Sequence, residues 1–164
     1  MNIKDIQIKI LFVCLGNICR SPAAHGTMLH LLSKDFKNLE NKIIVDSCGT
    51  SDFNSGNLPD RRMREEANKR GIKLDHRARS LNKNDLINYD LIIAMDNSNY
   101  EDILCMGANK NKVKKMIDYV ENKNNYNEIP DPYYGGSKDF NLVLDLVEDG
   151  CKGIINSLIK EYNL

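Results

Sequence analysis

A cysteine, five residues, then arginine and serine span Cys14–Ser21, with Leu15, Gly16, Asn17, Ile18 and Cys19 between. Residues of these types at this spacing suit nucleophilic attack on a phosphate ester. A tight loop whose backbone N–H groups turn inward forms a concavity for an oxyanion. A helix starting there adds free N–H groups and the positive end of its dipole. Arg20 can grip two phosphate oxygens with its planar fork, and Gly16 and Asn17 suit the unusual backbone angles of such a loop. The same surroundings activate sulfur. A free thiol has a pKa of about 8.5, lowered to roughly 3.5–7.5 beside helix N-termini and cations, so Cys14 is expected to be a thiolate at neutral pH. The Ser21 hydroxyl could donate to that sulfur and help it leave when a phospho-cysteine is hydrolysed. A lone cysteine at a strand end is commonly a small buried apolar residue; Arg20 and Ser21 at fixed spacing change that reading.

Such a transfer also needs an acid for the leaving oxygen, because a phenol with a pKa near 10 leaves slowly unprotonated. Asp131 is the best candidate. It lies in a long polar stretch, about 120–138, is followed by Pro132, and is flanked by Tyr133 and Tyr134. Structureless stretches of that length are often functional, although an Asp-Pro pair by itself is explained by turn chemistry.

The elements that must position these groups can be read from periodicity. Ile8–Val13 is a short apolar run ending at the glycine-bearing loop, as a buried strand would. Ser21-Pro22 opens a helix, with Ser21 as N-cap and Pro22 at the first helical position. Ile43–Val45 predicts a second strand, 60–70 a polar helix stopped by Gly71, Leu91–Met95 a third strand with Asp96 at its end, 97–106 a helix, and Val113–Ile117 a fourth, shorter strand. From Phe140 to Ile159 apolar residues recur at helical spacing. Strands alternating with helices predict an α/β fold: a four-stranded parallel sheet in three layers, with helices on both faces and one domain over 1–164. Ligands bind beyond the carboxyl ends of such strands, where Cys14 falls.

Composition narrows the function classes. Lys plus Arg and Asp plus Glu number 23 each in 164 residues, and this balance gives no reason to expect a nucleic-acid or anionic-membrane partner. The N-terminal stretch lacks a continuous apolar signal region and no apolar run is long enough to span a bilayer, so a cytoplasmic location is expected. The five cysteines are odd in number and form no C-x-x-C pair, and the three histidines have no ligand-like spacing. Free thiols, no metal and no organic cofactor are expected.

Cys14–Pro22 closely resembles the signature of the low-molecular-weight protein tyrosine phosphatases, and Asp131-Pro132-Tyr133-Tyr134 resembles their general-acid motif. Ser47-x-Gly-Thr, Asp52-Phe53-Asn54, Asp75-His76-x-Ala-Arg79 and Ala94-Met95-Asp96 are similar to further family segments, in order. The resemblance implies Cys14 as nucleophile, Arg20 as phosphate clamp and Asp131 as acid. It also implies phosphotyrosine-containing proteins as substrates, and phosphate or other oxyanions as product and inhibitors. It implies that Asn17, Ser21, Ser47 and His76 form a network holding the loop, that Asp52, Phe53 and Asn54 line the substrate cleft, and that Tyr133 and Tyr134 form its wall. Three positions depart from the family pattern: His25 stands where Glu is usual, Cys48 where Ala is usual, and Phe53 where some members have Trp. Ile18 separates the chain from arginine phosphatases of the same superfamily, which tend to have Thr there. Cys19, a second sulfur in the loop, could trap an oxidised Cys14 as a reversible disulfide.

Overall fold

The computed structural model describes residues 6–164. Strands β1 (Ile8–Cys14), β2 (Ile43–Gly49), β3 (Leu91–Ala94) and β4 (Val113–Lys115) pair in parallel in the order β2-β1-β3-β4. Parallel neighbours require long crossovers. These carry α1 (Arg20–Asp35), α2 (Arg61–Lys69), α3 (Lys83–Asn88) and α4 (Asn97–Cys105), and α5 (Ser137–Tyr162) closes the fold. β1 is buried on both faces, as its apolar run requires. Ile10 and Phe12 pack with Ala23 and Met28 of α1, Met63 of α2 and the apolar stripe of α5. Leu11 and Val13 face the opposite layer, with Leu86 of α3 and Ile103 of α4.

The expected three-layer α/β sheet is therefore what forms, with local differences. The last strand ends at Lys115, and Met116–Tyr119 turns into a short 3-10 helix. β2 runs on past Val45 to Gly49. α3 was not foreseen; its six residues are mostly polar, and a reciprocal cap between Asn82 and Asp85 holds its start. α1 begins at Arg20, one residue before Ser21, and its N-cap position is Cys19 without a side-chain cap. Ser21 does not cap because its hydroxyl is engaged by the loop. Pro22 is tolerated in the first turn, where its missing N–H would have had no helical partner.

Consecutive strands lie on opposite sides of β1, so a crevice opens at the carboxyl ends of β1 and β3. Cys14 ends β1, and Asp96 follows β3. The end of β2 supports the crevice from the other side: a Cβ on Gly49 would come 2.7 Å from the Leu15 carbonyl oxygen and 3.1 Å from the Asn17 nitrogen. Only glycine lets the loop lie against this strand end.

Candidate active site

The loop between Cys14 and Arg20 is shaped by where its carbonyls go. The Cys14 oxygen accepts from Thr50 N (2.9 Å), the Leu15 oxygen from Ser51 N (3.0 Å), the Ile18 oxygen from Asp60 N (2.7 Å) and the Cys19 oxygen from Ala23 N (3.1 Å). The Gly16 oxygen accepts from Asn54 Nδ2 at 3.3 Å. With its carbonyls tied to the surrounding chain, the loop keeps the N–H groups of Leu15, Gly16, Ile18 and Cys19 without an acceptor among the described residues. Such N–H groups need a partner, and an oxyanion fits that need. Of the two residues expected to take special backbone angles, Asn17 does, at φ 54°, while Gly16 does not. Glycine at 16 serves closeness instead, since a Cβ there would lie 2.7 Å from Asn54 Nδ2.

Asn17 is buried and forms the centre of the loop's support. Its backbone N–H donates to Cys14 Sγ at 3.3 Å. Its Nδ2 donates to Ser21 Oγ (2.7 Å) and Ser47 Oγ (3.0 Å). Its Oδ1 accepts from Arg79 N at 3.1 Å and pairs with His76 Nε2 at 3.2 Å. Ser21 Oγ therefore accepts from Asn17 and has its single proton to give, either to Cys14 Sγ at 3.0 Å or to the Cys48 carbonyl at 3.3 Å. Asn17, Ser21, Ser47 and His76, which the resemblance implied as a network, are brought together.

Arg20 is buried. Its Nη1 donates to Asp96 Oδ2 at 2.6 Å and to the Ile129 carbonyl at 3.1 Å. Burial opposes its charge, but Cys14 beside it and the Asp96 and Asp131 carboxylates hold the guanidinium protonated. One corner of the fork is anchored, which leaves Nε and Nη2 for a ligand. Asp131 Oδ2 lies 3.7 Å from Nη2, and its other oxygen accepts from Tyr133 N at 3.1 Å, a local turn. Ile129 positions this loop: it is fully buried, and its N–H donates to the Met95 carbonyl at the end of β3. Asp131 follows two residues later, between two prolines.

Cys14, Leu15, Gly16, Ile18, Cys19, Arg20 and Asp131 share one cleft of about 260 Å³ with Ser51, Phe53, Asn54, Tyr133 and Tyr134. Phe53, Tyr133 and Tyr134 are exposed at its rim. Asp52 is absent from the lining. Burial and nearby Asp60 push the Cys19 thiol up, so it stays protonated. Behind the loop, burial and neighbouring His76 lower the His25 pKa to about 4. Burial also lowers that of His76, against the pull of Asp46.

Asp96 and Ile129 position Arg20 and the Asp131 loop, and sequence reasoning gave them no role. A carboxylate at the end of a core strand, where ligands gather, was the available signal for Asp96; an isolated apolar residue in a polar stretch was the signal for Ile129. Arg62 was also missed. It forms a two-point fork with Asp60 (3.1 and 3.0 Å) and lies 5.3 Å from the Tyr133 ring centre, steadying that wall.

A cysteine cradled by free amides at the first switch point of a parallel sheet, with a guanidinium anchored beside it, defines the class of α/β proteins that do oxyanion chemistry through sulfur. Residues 9–164 match the family model for low molecular weight phosphotyrosine protein phosphatase, and the chain belongs to that family. It is 41% identical to the low molecular weight protein-tyrosine-phosphatase YfkJ of Bacillus subtilis, over 96% of this chain and 100% of the relative. It is 38% identical to the low molecular weight phosphotyrosine protein phosphatase of Gallus gallus, over 89% and 92%. Among solved structures, a protein tyrosine phosphatase from Entamoeba histolytica with Hepes in the active site superposes with a TM-score of 0.88. Its identity is 41%, over 96% of this chain and 100% of that one.

Proposed function

We propose that the chain hydrolyses phosphotyrosine in proteins, and small aryl phosphates, through a phospho-cysteine intermediate. The loop amides and the Nε–Nη2 edge of Arg20 hold the three non-bridging oxygens and stabilise their charge in the transition state. Cys14 sulfur attacks phosphorus, the phosphorus–oxygen ester bond breaks, and Asp131 gives its proton to the leaving phenol oxygen. Asp131, now a carboxylate, then takes a proton from water as the water oxygen attacks the phospho-cysteine. Phosphate is released, and the sulfur leaves as thiolate with the Ser21 hydroxyl as donor. The ring of the substrate lies between Phe53 and the tyrosines, whose exposure at a cleft rim suits an aromatic ligand.

The observation that carries this reading is the loop with tied carbonyls and unpaired amides around Cys14. Phosphate and related oxyanions then bind as product and inhibitors, and neither a nucleic acid nor a membrane is required. No helix among the described residues is long and apolar enough to cross a membrane, and all five cysteines are free. These features fit a cytoplasmic enzyme. Cys14 and Cys19 line the same cleft as free thiols. We propose that when a peroxide has oxidised the Cys14 sulfur to a sulfenic acid, the Cys19 thiol attacks that sulfur, forming the disulfide and releasing water.

The test is hydrolysis of p-nitrophenyl phosphate and a phosphotyrosine peptide, with chelator present. Wild type turns over both and Cys14→Ser neither. Asp131→Ala loses about 10²–10⁴-fold on the peptide, the range of a general acid, and clearly less on the nitrophenyl ester, whose leaving group needs less protonation. Activity in Cys14→Ser, or equal losses on both esters in Asp131→Ala, would overturn the mechanism.

A further inference from the structure

Behind the catalytic loop lies a second group of side chains that the phosphatase reaction does not use as reactants. His25 on α1, Asp46 on β2 and His76 in the loop after α2 each present one ligand-type atom, all within 4.8 Å of one another. The two imidazole rings meet edge to face with centres 4.9 Å apart. Their separation along the chain hid this arrangement from a reading based on spacing.

The hydrogen bonds decide what these atoms can do. The Asn17 amide is oriented by its two serine bonds and its bond from Arg79 N, so Oδ1 faces His76 Nε2 as an acceptor. The one ring proton of a neutral His76 therefore sits on Nε2. Nδ1 faces Asp46 Oδ1, 3.6 Å away, and the ring also bonds the Ser47 backbone. Either a proton on Nδ1 or a metal ion between the two atoms satisfies this pairing. The separation is close to the ~3.4 Å that two ligands about 2.05 Å from one tetrahedral ion would show.

The surroundings support a cation. The other oxygen of Asp46 is taken by Arg79 Nε (3.1 Å), Arg79 Nη2 (3.0 Å) and Tyr89 OH (3.3 Å), which fixes the carboxylate with Oδ1 toward the histidines. Oδ1 itself accepts from Ser47 N at 2.8 Å and keeps a further lone pair. Arg79 is shared with Asp85 at 2.9 and 3.0 Å, so two carboxylates face one guanidinium and a negative charge is left over. His25 Nδ1 is steadied by Ser47 Oγ at 3.1 Å. A small cleft of about 30 Å³, lined by His25, His76, Asp75 and Lys73 among others, reaches the two histidines but not Asp46. It has room for an entering ion with one bound water.

We propose that His25, Asp46 and His76 bind one divalent transition-metal ion of the kind that two imidazoles and a carboxylate select, such as zinc. The link to the catalytic loop is His76. Coordination at Nδ1 enforces the Nε2–H form that Asn17 requires, so the ion stiffens the loop from behind.

Zinc titration by calorimetry would be run on Cys14→Ser/Cys19→Ser protein, which removes the thiols of the cleft as competing ligands, alongside thermal melts. One equivalent binds, the melting temperature rises, and His25→Gln weakens binding at least tenfold and abolishes the rise. A second measurement does not depend on the variant folding: in the same zinc titration of the His25-containing protein, the imidazole resonances of His25 and His76 shift together. Binding undiminished in His25→Gln, or no stoichiometric binding with both rings unshifted, would overturn the site.

Discussion

Asp96 tests how the Arg20 guanidinium is aimed. Its Oδ2 takes Arg20 Nη1 at 2.6 Å while its Oδ1 caps α4 through Asn99 N at 2.7 Å. Asp96→Asn keeps size and can still cap, but removes the charge from the bond to Arg20. A charge-assisted hydrogen bond contributes about 1.5–3 kcal/mol. kcat/KM on p-nitrophenyl phosphate should therefore fall roughly ten- to hundredfold, and the inhibition constant for inorganic phosphate should rise in parallel. If phosphate inhibition is unchanged, the Ile129 carbonyl aims Arg20 without help. Cys14, Arg20, Ser21 and Asn17 were legible in the sequence because a short loop that starts a helix places its own residues. Asp96 and Ile129 were not. Their roles exist only because β3 ends beside β1 and a distant loop returns to Met95.

At the level of the element, the loop from Cys14 to Arg20 is a backbone conformation locked by one side chain. Asn17 combines φ 54° with side-chain bonds to Ser21, Ser47, His76 and the Arg79 backbone. Replacing it separates the two contributions. Asn17→Gly keeps the backbone angle and leaves buried polar partners unmatched, at about 1–3 kcal/mol. Asn17→Ala loses the same bonds and adds about 1–2 kcal/mol for a side chain in the left-handed region. Urea denaturation should rank the variants wild type, Gly, Ala. Equal stability of the two variants would mean that the loop relaxes out of this angle when the amide is lost. The same distinction explains what could be read in advance. β1, β3 and α5 announce themselves through apolar periodicity. α3 has a six-residue polar sequence and depends on its Asn82–Asp85 cap and on Asp85 meeting Arg79. β4 was read too long because Met116 and Ile117 stay buried while the chain turns into a 3-10 helix. Burial of that kind looks like a strand when only hydrophobicity is visible.

For the whole molecule, the histidine pair behind the loop makes stability depend on pH between mildly acidic and neutral conditions. His25 has an ordinary pKa of 6.5 and is held at about 4 in the fold by burial, with His76 and Arg79 also opposing its charge and Asp46 and Asp75 favouring it. His76 is shifted in the same direction. Well above pH 6.5 both histidines are neutral, folded or unfolded, and this contribution is fully present. As pH falls below 6.5 the unfolded chain takes up protons first, so stability declines. For His25 the decline continues until about pH 4, where the folded protein is protonated as well. At 1.36 kcal/mol per pKa unit, His25 accounts for at most about 3 kcal/mol across that window. Carboxylates held low, such as Asp60, act at lower pH because their ordinary value is 3.8. Chemical denaturation at pH 7, 6, 5 and 4.5, with chelator present, should show the midpoint falling in wild type. In His25→Gln the slope should be much reduced. An unchanged slope in that variant would place the pH sensitivity elsewhere and would mean that His25 accepts a proton in the fold as readily as in the open chain.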